Sequence, residues 1–123
     1  MCILSRIIVP EKLNLDARVT VNNLEVEVNS GYVSDLLSDV LANSRENDLW
    51  ITLQIHPNIV AIADMKGLAG IVIINGRQPE EKTIESAKEK GVAIMVTPMS
   101  AFELSGKLYG LGIRGTENDN EGI

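Results

Sequence analysis

Apolar and polar residues alternate in the first part of the chain. Residues 19–28 read VTVNNLEVEV, with the alternation running on both sides of Asn22 and Asn23. A period of two is typical of a β-strand, and asparagine tolerates the positive φ of a tight turn. The pattern predicts an antiparallel hairpin near the N-terminus.

The next segment, SDLLSDVLANS, has the spacing of an amphipathic helix. Ser34 or Asp35 is placed to cap its first turn. The apolar face of this helix is predicted to comprise Leu36, Leu37, Val40 and Leu41.

Strand and helix patterns then alternate to the end of the folded part. WITLQI and GIVII are strand-like, and the segments after them, PNIVAIADMK and PEEKTIESAKEK, are helical and end before Gly67 and Gly91. A last pair, VAIMVT and MSAFELSGKLYG, repeats the order. Four alternations with short loops predict a mostly parallel sheet, and hence an α/β fold.

Length and composition limit the organisation of the chain. Its 123 residues, of which 45% are hydrophobic, fit one domain with an ordinary core. The polar, acidic end of the sequence predicts a disordered tail. We therefore expect a single domain over residues 1–112 and a tail over residues 113–123.

Net charge and cysteine content limit the classes of binding partner and the cellular compartment that we expect for the protein. The formal net charge is −6 without a cluster of Lys or Arg, which opposes binding to nucleic acid or to anionic lipid. No apolar run reaches the roughly 20 residues of a membrane helix. The single cysteine, Cys2, fits a reducing compartment, so a cytoplasmic protein is expected.

Polar residues fill the turns that follow the predicted parallel strands. Ligands of open α/β sheets bind at the carboxyl ends of the strands, where helix N-termini offer free N–H groups. Arg77 and His56 supply charge-assisted donors, and Gly76 lets a ligand approach the backbone. The candidate ligand-binding residues are Ser30, Gly31, Ser34, Gln54, His56, Asn58, Asn75, Gly76, Arg77, Thr97 and Ser100.

Several of these residues also have a structural interpretation. Ser100 with Glu103 forms a capping-box pattern, and Asn75-Gly76 is typical of a tight turn. Arg77 could simply be solvated, and Trp50 is expected to pack at a strand start rather than stack on a ligand. Both interpretations stay open from the sequence alone.

The segment IVAIA predicts a contact with another protein. Five consecutive apolar positions surround a helix, whereas a helix on the outside of a sheet usually shows water one polar side. A second subunit covering Ile59, Val60, Ile62 and Ala63 would explain the pattern, as would a neighbouring helix of the same chain.

Common catalytic and metal-binding patterns are missing from the sequence. His56 is the only histidine and has no set of further ligands, so neither a metal nor a cofactor is expected. The chain contains no Gly-x-Ser-x-Gly turn and no Gly-x4-Gly-Lys-Ser/Thr loop.

Three blocks in order resemble the DRTGG domain, in particular its small stand-alone bacterial members. They are GYVSDLLSDVLANS, GIVIINGRQPEEKTIESAKEKGVAIMVT and SAFELSGKLY, and the resemblance covers residues 24–112. The signatures that name the domain are mostly absent. Gln54, Ile55 and His56 stand where the family has Gly-Asp-Arg, and only Gly76 remains of its Thr-Gly-Gly.

The resemblance implies a three-layer α/β/α fold similar to the N-terminal domain of HPr kinase/phosphorylase, without the catalytic part of that enzyme. It further implies a regulatory or dimerising module, and it suggests a link to hydrogenase or metabolic regulation in anaerobic bacteria. It carries over no catalytic residue.

Two hypotheses about function follow. The first is a non-enzymatic regulatory or assembly module, a homodimer that senses a small polar, anionic or nucleotide-like ligand at the carboxyl rim of its sheet. The alternative is a small enzyme for a phosphorylated or carboxylated metabolite, with His56 as acid/base and Arg77 as anion clamp.

Overall fold

The computed structural model of the protein describes residues 2–4, 15–20 and 25–115. In these ranges the strands are β1 (Cys2–Ile3), β2 (Asp16–Val19), β3 (Glu27–Val28), β4 (Ser30–Val33), β5 (Asp48–Thr52), β6 (Gly70–Ile73) and β7 (Ile94–Val96). The helices are α1 (Leu37–Asn43), α2 (Asn58–Lys66), α3 (Glu81–Lys90) and α4 (Ala101–Gly110).

The main sheet has five strands in the order β2-β7-β6-β5-β4. β4, β5, β6 and β7 are parallel neighbours, and β2 runs antiparallel to β7 at one edge. The mostly parallel sheet predicted from the alternating blocks is therefore confirmed. A separate two-stranded sheet joins β1 and β3 in antiparallel orientation.

The N-terminal strands pair differently from the predicted hairpin. β2 pairs with β7, and β3 pairs with β1, so the described strands on either side of Asn22 and Asn23 belong to different sheets. The predicted turn lies outside the described residues. Both β2 and β3 are in antiparallel pairs, but each pairs with a strand that is distant in sequence.

Both faces of the main sheet are covered, which makes a three-layer α/β/α domain. Trp50, Ile71 and Ile73 pack on one face with buried residues of α1, α2 and α3. Leu49 and Val72 point to the other face and pack with α4. Because successive side chains of a strand alternate between faces, strands buried on both sides need continuous apolar runs.

The ends of α2 and α3 and the start of α4 lie where the sequence pattern predicts them. Gly67 and Gly91 end α2 and α3 in the left-handed region, with φ of 65° and 71°. Ser100 caps α4, where its hydroxyl accepts a hydrogen bond from the backbone N–H of Glu103. The predicted start of α4 is thus confirmed.

The apolar face predicted for α1 is only partly buried. Val40 is buried, whereas Leu36 and Leu41 are 65% and 42% exposed. The helix begins at Leu37 and has 7 residues, so Leu36 precedes it and does not share its inner face. The prediction that all four apolar residues pack inward is wrong.

Three of the apolar residues of α2 that were predicted to contact a second subunit are covered by the chain itself. The helix packs between α1 and α3, and Ile59, Val60 and Ala63 are buried there. Ile62 is half-buried, and Ala61 is exposed. The neighbouring-helix explanation therefore holds for the three buried residues, which cannot form the dimer interface predicted for them.

The folded part extends beyond the predicted boundary at residue 112. Ile113 is buried in the core, and Gly115 forms a parallel bridge with Gly31 of β4. The backbone N–H of Gly31 donates to the carbonyl of Arg114 at 2.8 Å. The remainder of the predicted tail lies outside the described residues.

Candidate functional site at the carboxyl rim

Most of the candidate ligand-binding residues follow the carboxyl ends of β4, β5, β6 and β7. Because these strands are parallel and adjacent, their carboxyl ends form one rim. Ser30 and Gly31 are the exceptions, since they open β4 and lie at the opposite end of the sheet. The residues that the structure places at the rim are Ser34, Gln54, His56, Asn58, Asn75, Gly76, Arg77, Thr97 and Ser100.

Asp35 links the loop after β4 to the end of β5. Its carboxylate accepts hydrogen bonds from the Thr52 hydroxyl at 2.9 Å and from the Leu53 backbone N–H at 2.7 Å. The Gln54 side chain donates back to the Asp35 carbonyl at 2.8 Å. Asp35 therefore joins two rim loops and does not cap α1, and Gln54 is engaged in the same connection.

Ser34 also has local partners. Its hydroxyl accepts a hydrogen bond from the Leu36 N–H at 3.2 Å, two residues on, which is an ST-turn and not a helix cap. Its carbonyl accepts from the indole N–H of Trp50 at 2.9 Å. Trp50 is fully buried, so the expected packing role of this residue is confirmed.

His56 and Asn58 begin the turn into α2. The Nδ1 atom of His56 accepts a hydrogen bond from the Asn58 backbone N–H at 3.3 Å, and both side chains are exposed. The preceding carbonyl, of Ile55, accepts from the Thr83 hydroxyl at 2.6 Å. This loop is therefore held against α3, while the His56 ring lies at the surface.

Arg77 bridges two loops of the rim. It follows the tight turn at Asn75 and Gly76, which have φ of 58° and 71°, and its Nη1 donates to the Leu53 carbonyl at 2.9 Å. The turn interpretation is confirmed, because only glycine and a few polar residues accept two such φ values in succession. The guanidinium carries five N–H donors, so one hydrogen bond to a carbonyl leaves capacity for an anion.

Thr97 and Ser100 have mainly structural roles. Thr97 is buried, its hydroxyl accepts from the Met99 N–H at 3.2 Å, and its carbonyl accepts from the Gly76 N–H at 2.9 Å. Ser100 caps α4. These bonds fix the loops after β6 and β7 side by side.

A depression of about 380 Å³ opens at the rim beside β2. Arg18 of this edge strand donates through Nε to the side-chain oxygen of Gln78 at 2.8 Å. The Arg18 guanidinium also lies 3.9 Å from the Asp16 carboxylate. The depression is lined by Leu15, Asp16, Arg18, Gly76, Gln78, Val96, Thr97 and Pro98.

Sequence reasoning missed Arg18. Gln78 belongs to the polar NGRQP turn that the sequence places at the rim, beside Arg77, but it was not counted among the candidate ligand-binding residues. Arg18 could not be found, because only the pairing of β2 with β7 brings it to the rim.

A second polar depression, of about 350 Å³, lies at the other end of the sheet. There Ser30 donates its hydroxyl hydrogen to the buried carboxylate of Asp48, which also accepts from the Arg45 N–H at 2.8 Å. The lining includes the exposed Arg45 and Arg114. Ser30 therefore supports the start of two strands, away from the rim.

The described residues include no group of three or more His, Cys, Asp or Glu side chains that could hold a metal ion. In the same part of the chain, no helix has the length and hydrophobicity needed to cross a bilayer.

Together these features define the class of the protein: a small three-layer α/β/α domain with a polar rim at the carboxyl ends of its parallel strands. No family model matches the sequence, and no curated protein matches it either. Among solved structures, the chain is similar to the CBS and DRTGG domains of the regulatory region of a Clostridium perfringens pyrophosphatase, complexed with the activator diadenosine tetraphosphate.

The TM-score of this likeness is 0.70 at 18% sequence identity. It covers 95% of the present chain and 51% of the pyrophosphatase chain, so the protein spans about half of that regulatory region. The DRTGG-like fold suggested by the three sequence blocks is confirmed.

Proposed function

We propose that the protein is a non-enzymatic regulatory module that senses a small anionic, nucleotide-like ligand at the carboxyl rim. The observation that carries the proposal is the rim depression, which holds the Arg18 guanidinium, the Gln78 amide and Gly76, where no side chain fills the space beside the backbone. These groups suit a phosphorylated ligand, because arginine binds phosphate through charge-assisted hydrogen bonds and glycine leaves room at the backbone.

Arg18 is available to an incoming anion. Its ion pair with Asp16 is long, at 3.9 Å, and the side chains are 40% and 73% exposed. Such surface pairs contribute little, so a phosphate group that displaces Asp16 loses little binding energy. Arg77 lies on the same loop as Gln78 and extends the positive charge along the rim.

The structural neighbour supports a nucleotide-like ligand. The pyrophosphatase region contains a DRTGG domain and is complexed with diadenosine tetraphosphate. That ligand combines several phosphates with adenine rings, and the rim depression offers apolar walls at Leu15, Val96 and Pro98 beside its polar groups. We therefore take polyphosphate nucleotides as the first ligands to test.

The enzyme alternative receives less support. His56 is exposed, with its Nδ1 occupied by a backbone N–H, and the rim depression is lined by other residues. A general acid or base works best beside the bound substrate.

The proposal includes self-association of two copies in the cytoplasm. The resemblance to stand-alone DRTGG proteins suggests hydrogenase or metabolic regulation in an anaerobic bacterium as its setting. Since Ile59, Val60 and Ala63 of α2 are buried within the chain, we expect the second copy to contact residues outside this set.

Calorimetric titration tests the ligand site, with diadenosine tetraphosphate, ATP and inorganic phosphate as separate probes. Arg18→Ala is expected to weaken binding of the nucleotide about tenfold or more, since a hydrogen bond to a charged group contributes about 1.5 to 3 kcal/mol. Arg45→Ala is the matched control, because Arg45 is an exposed arginine at the opposite end of the sheet.

The expected result is loss of binding in Arg18→Ala and unchanged binding in Arg45→Ala. If no probe binds, or if both variants lose affinity equally, the rim site is disproved. Product formation from any probe would instead support the enzyme alternative.

A further inference from the structure

Helix α4 has an inner face that packs on the sheet and an outer face with a distinct composition. Leu104 and Leu108 point inward and are buried. We define the outer face of α4 by its exposed residues, which are Phe102, Glu103, Gly106, Lys107, Tyr109 and Gly110.

Phe102 is the most exposed large apolar side chain in the described part of the protein, at 88%. It is also the only phenylalanine of the chain. Tyr109 lies two turns further on the same side of the helix and is 56% exposed. Two exposed aromatic rings on one helix face are typical of a contact surface, since aromatic side chains dominate interface energetics.

The glycines of this face are not explained by packing within the chain. A Cβ atom added to Gly106 or to Gly110 would meet nothing within 4 Å. Glycine also lowers helix propensity, so alanine would serve the isolated helix better. Glycine at these positions is explained if another molecule packs closely against the helix, because a side chain would hold that molecule away.

The face is complementary to a reversed copy of itself. Phe102, Glu103, Gly106 and Lys107 together line a shallow depression. Glu103 and Lys107 are one turn apart, but they do not form an ion pair with each other. The one ion pair found among the described residues joins Arg18 to Asp16. Antiparallel pairing about a two-fold axis would bring each acidic side chain opposite a basic one.

We propose that two copies of the chain associate through the outer faces of α4, packed antiparallel about a two-fold axis. In this arrangement Phe102 of each copy enters the depression over the partner's Gly106, and Glu103 faces the partner's Lys107. The inference names the surface for the self-association proposed above and does not depend on the ligand site.

Charge favours a second copy over other partners. The chain carries a net charge of −6, which opposes nucleic acid and anionic membranes, and which would also oppose a dimer through an acidic surface. The outer face of α4 carries one Glu and one Lys, and Arg114 lies over the Tyr109 ring, 4.1 Å from its centroid, near the end of the helix. Two antiparallel copies can therefore meet around Glu103 and Lys107 with opposite charges facing each other. A two-fold interface also requires one self-complementary patch and no second surface.

Light scattering coupled to gel filtration tests the proposal on the full chain. The wild-type protein is expected to have twice the 13.4 kDa mass of one chain. Phe102→Glu is expected to give the monomer mass with unchanged circular dichroism. Met65→Glu is the matched control, because Met65 is 71% exposed on α2 and lies outside the proposed interface.

Charge reversal separates this geometry from nonspecific association. Glu103→Lys and Lys107→Glu are each expected to raise the dimer dissociation constant several-fold, because each puts like charges opposite each other twice per dimer. The double variant restores the opposite pairs and is expected to recover most of the affinity.

A monomeric wild-type protein at all attainable concentrations would overturn both the self-association and its surface. A dimer that survives Phe102→Glu, or a double reversal no better than the single ones, would overturn this surface while self-association stands. Loss of the dimer in Met65→Glu alone would place the contact on α2.

Discussion

Asp35 and Thr52 hold two neighbouring loops of the rim together, with the threonine hydroxyl donating to the aspartate carboxylate at 2.9 Å. The same carboxylate accepts the Leu53 N–H at 2.7 Å. The short loop after β4 is thereby fixed to the carboxyl end of β5, where Gln54 and Arg77 converge.

Replacing Asp35 with alanine is expected to destabilise the protein by about 1 to 2 kcal/mol, because two hydrogen bonds to a charged group are lost and the buried Thr52 hydroxyl loses its acceptor. Urea unfolding followed by Trp50 fluorescence measures this. Asp64→Ala removes an exposed carboxylate from α2 and is expected to stay within about 0.5 kcal/mol of wild type. Equal effects in the two variants would contradict the role given to Asp35.

The convergence of the rim residues could be predicted because it depends only on strand direction. Parallel neighbours place all their carboxyl ends together, so Gln54, His56 and Arg77 had to share one edge. Hydrogen-bond partners could not be predicted in the same way. In the sequence Asp35 is placed to cap a helix, but in the structure its carboxylate accepts hydrogen bonds from Thr52 and Leu53 at the end of β5.

Gly76 and Gly106 are expected to respond to alanine in opposite directions. An added Cβ finds open space at both positions, but Gly76 has φ of 71° whereas Gly106 is helical. Gly76→Ala is expected to cost about 1 kcal/mol, because L-residues are strained in the left-handed region. Gly106→Ala is expected to add up to about 1 kcal/mol of helix stability.

Urea unfolding in the Phe102→Glu background keeps this comparison free of association. Destabilisation by Gly106→Ala in that background would show that the glycine is needed within the monomer, against the role proposed for it in the dimer.

One open alternative and one error in the sequence interpretation have the same origin. The apolar run of α2 has two explanations in the sequence, and which one holds depends on how closely α1 and α3 flank that helix. The hairpin was predicted from alternation around Asn22 and Asn23, yet β2 pairs with β7 more than seventy residues away in the chain. Local patterns identify elements well, whereas the partners of an edge strand are decided by tertiary packing.

Thr83 fastens α3 to the loop that carries His56, since its buried hydroxyl donates to the Ile55 carbonyl at 2.6 Å. Thr83→Val keeps the shape and removes the donor, and is expected to cost about 1 kcal/mol in urea unfolding. The carbonyl retains the Glu80 N–H at 3.2 Å, which limits the loss. Ser86→Ala, on the same helix, is expected to be neutral or stabilising. A neutral Thr83→Val would mean that this bond contributes nothing to stability.

Asp39 is expected to give the folded protein part of its resistance to acid. Hydrogen bonds from the side chains of Ser34, Asn43 and Tyr32 hold the pKa of its carboxyl below the ordinary value of 3.8. The Tyr32 hydroxyl lies 2.9 Å from both carboxylate oxygens. Since the pKa of Asp39 is lower in the folded protein, the unfolded chain takes up this proton first as the pH falls. The contribution of Asp39 to stability is therefore present above about pH 3.8 and is lost as the pH falls through the folded pKa.

Carbon NMR of the carboxyl groups measures this pKa directly, and the urea midpoint recorded from neutral to acid pH measures its effect on stability. Asp39→Asn is expected to lower stability at neutral pH and to make the acid side of the profile less steep. Asp64→Asn, on the exposed side of α2, is the control and is expected to leave the profile close to wild type. A folded pKa of Asp39 at or above its ordinary value would rule out the protective role, because the hydrogen bonds would then not favour the ionised form.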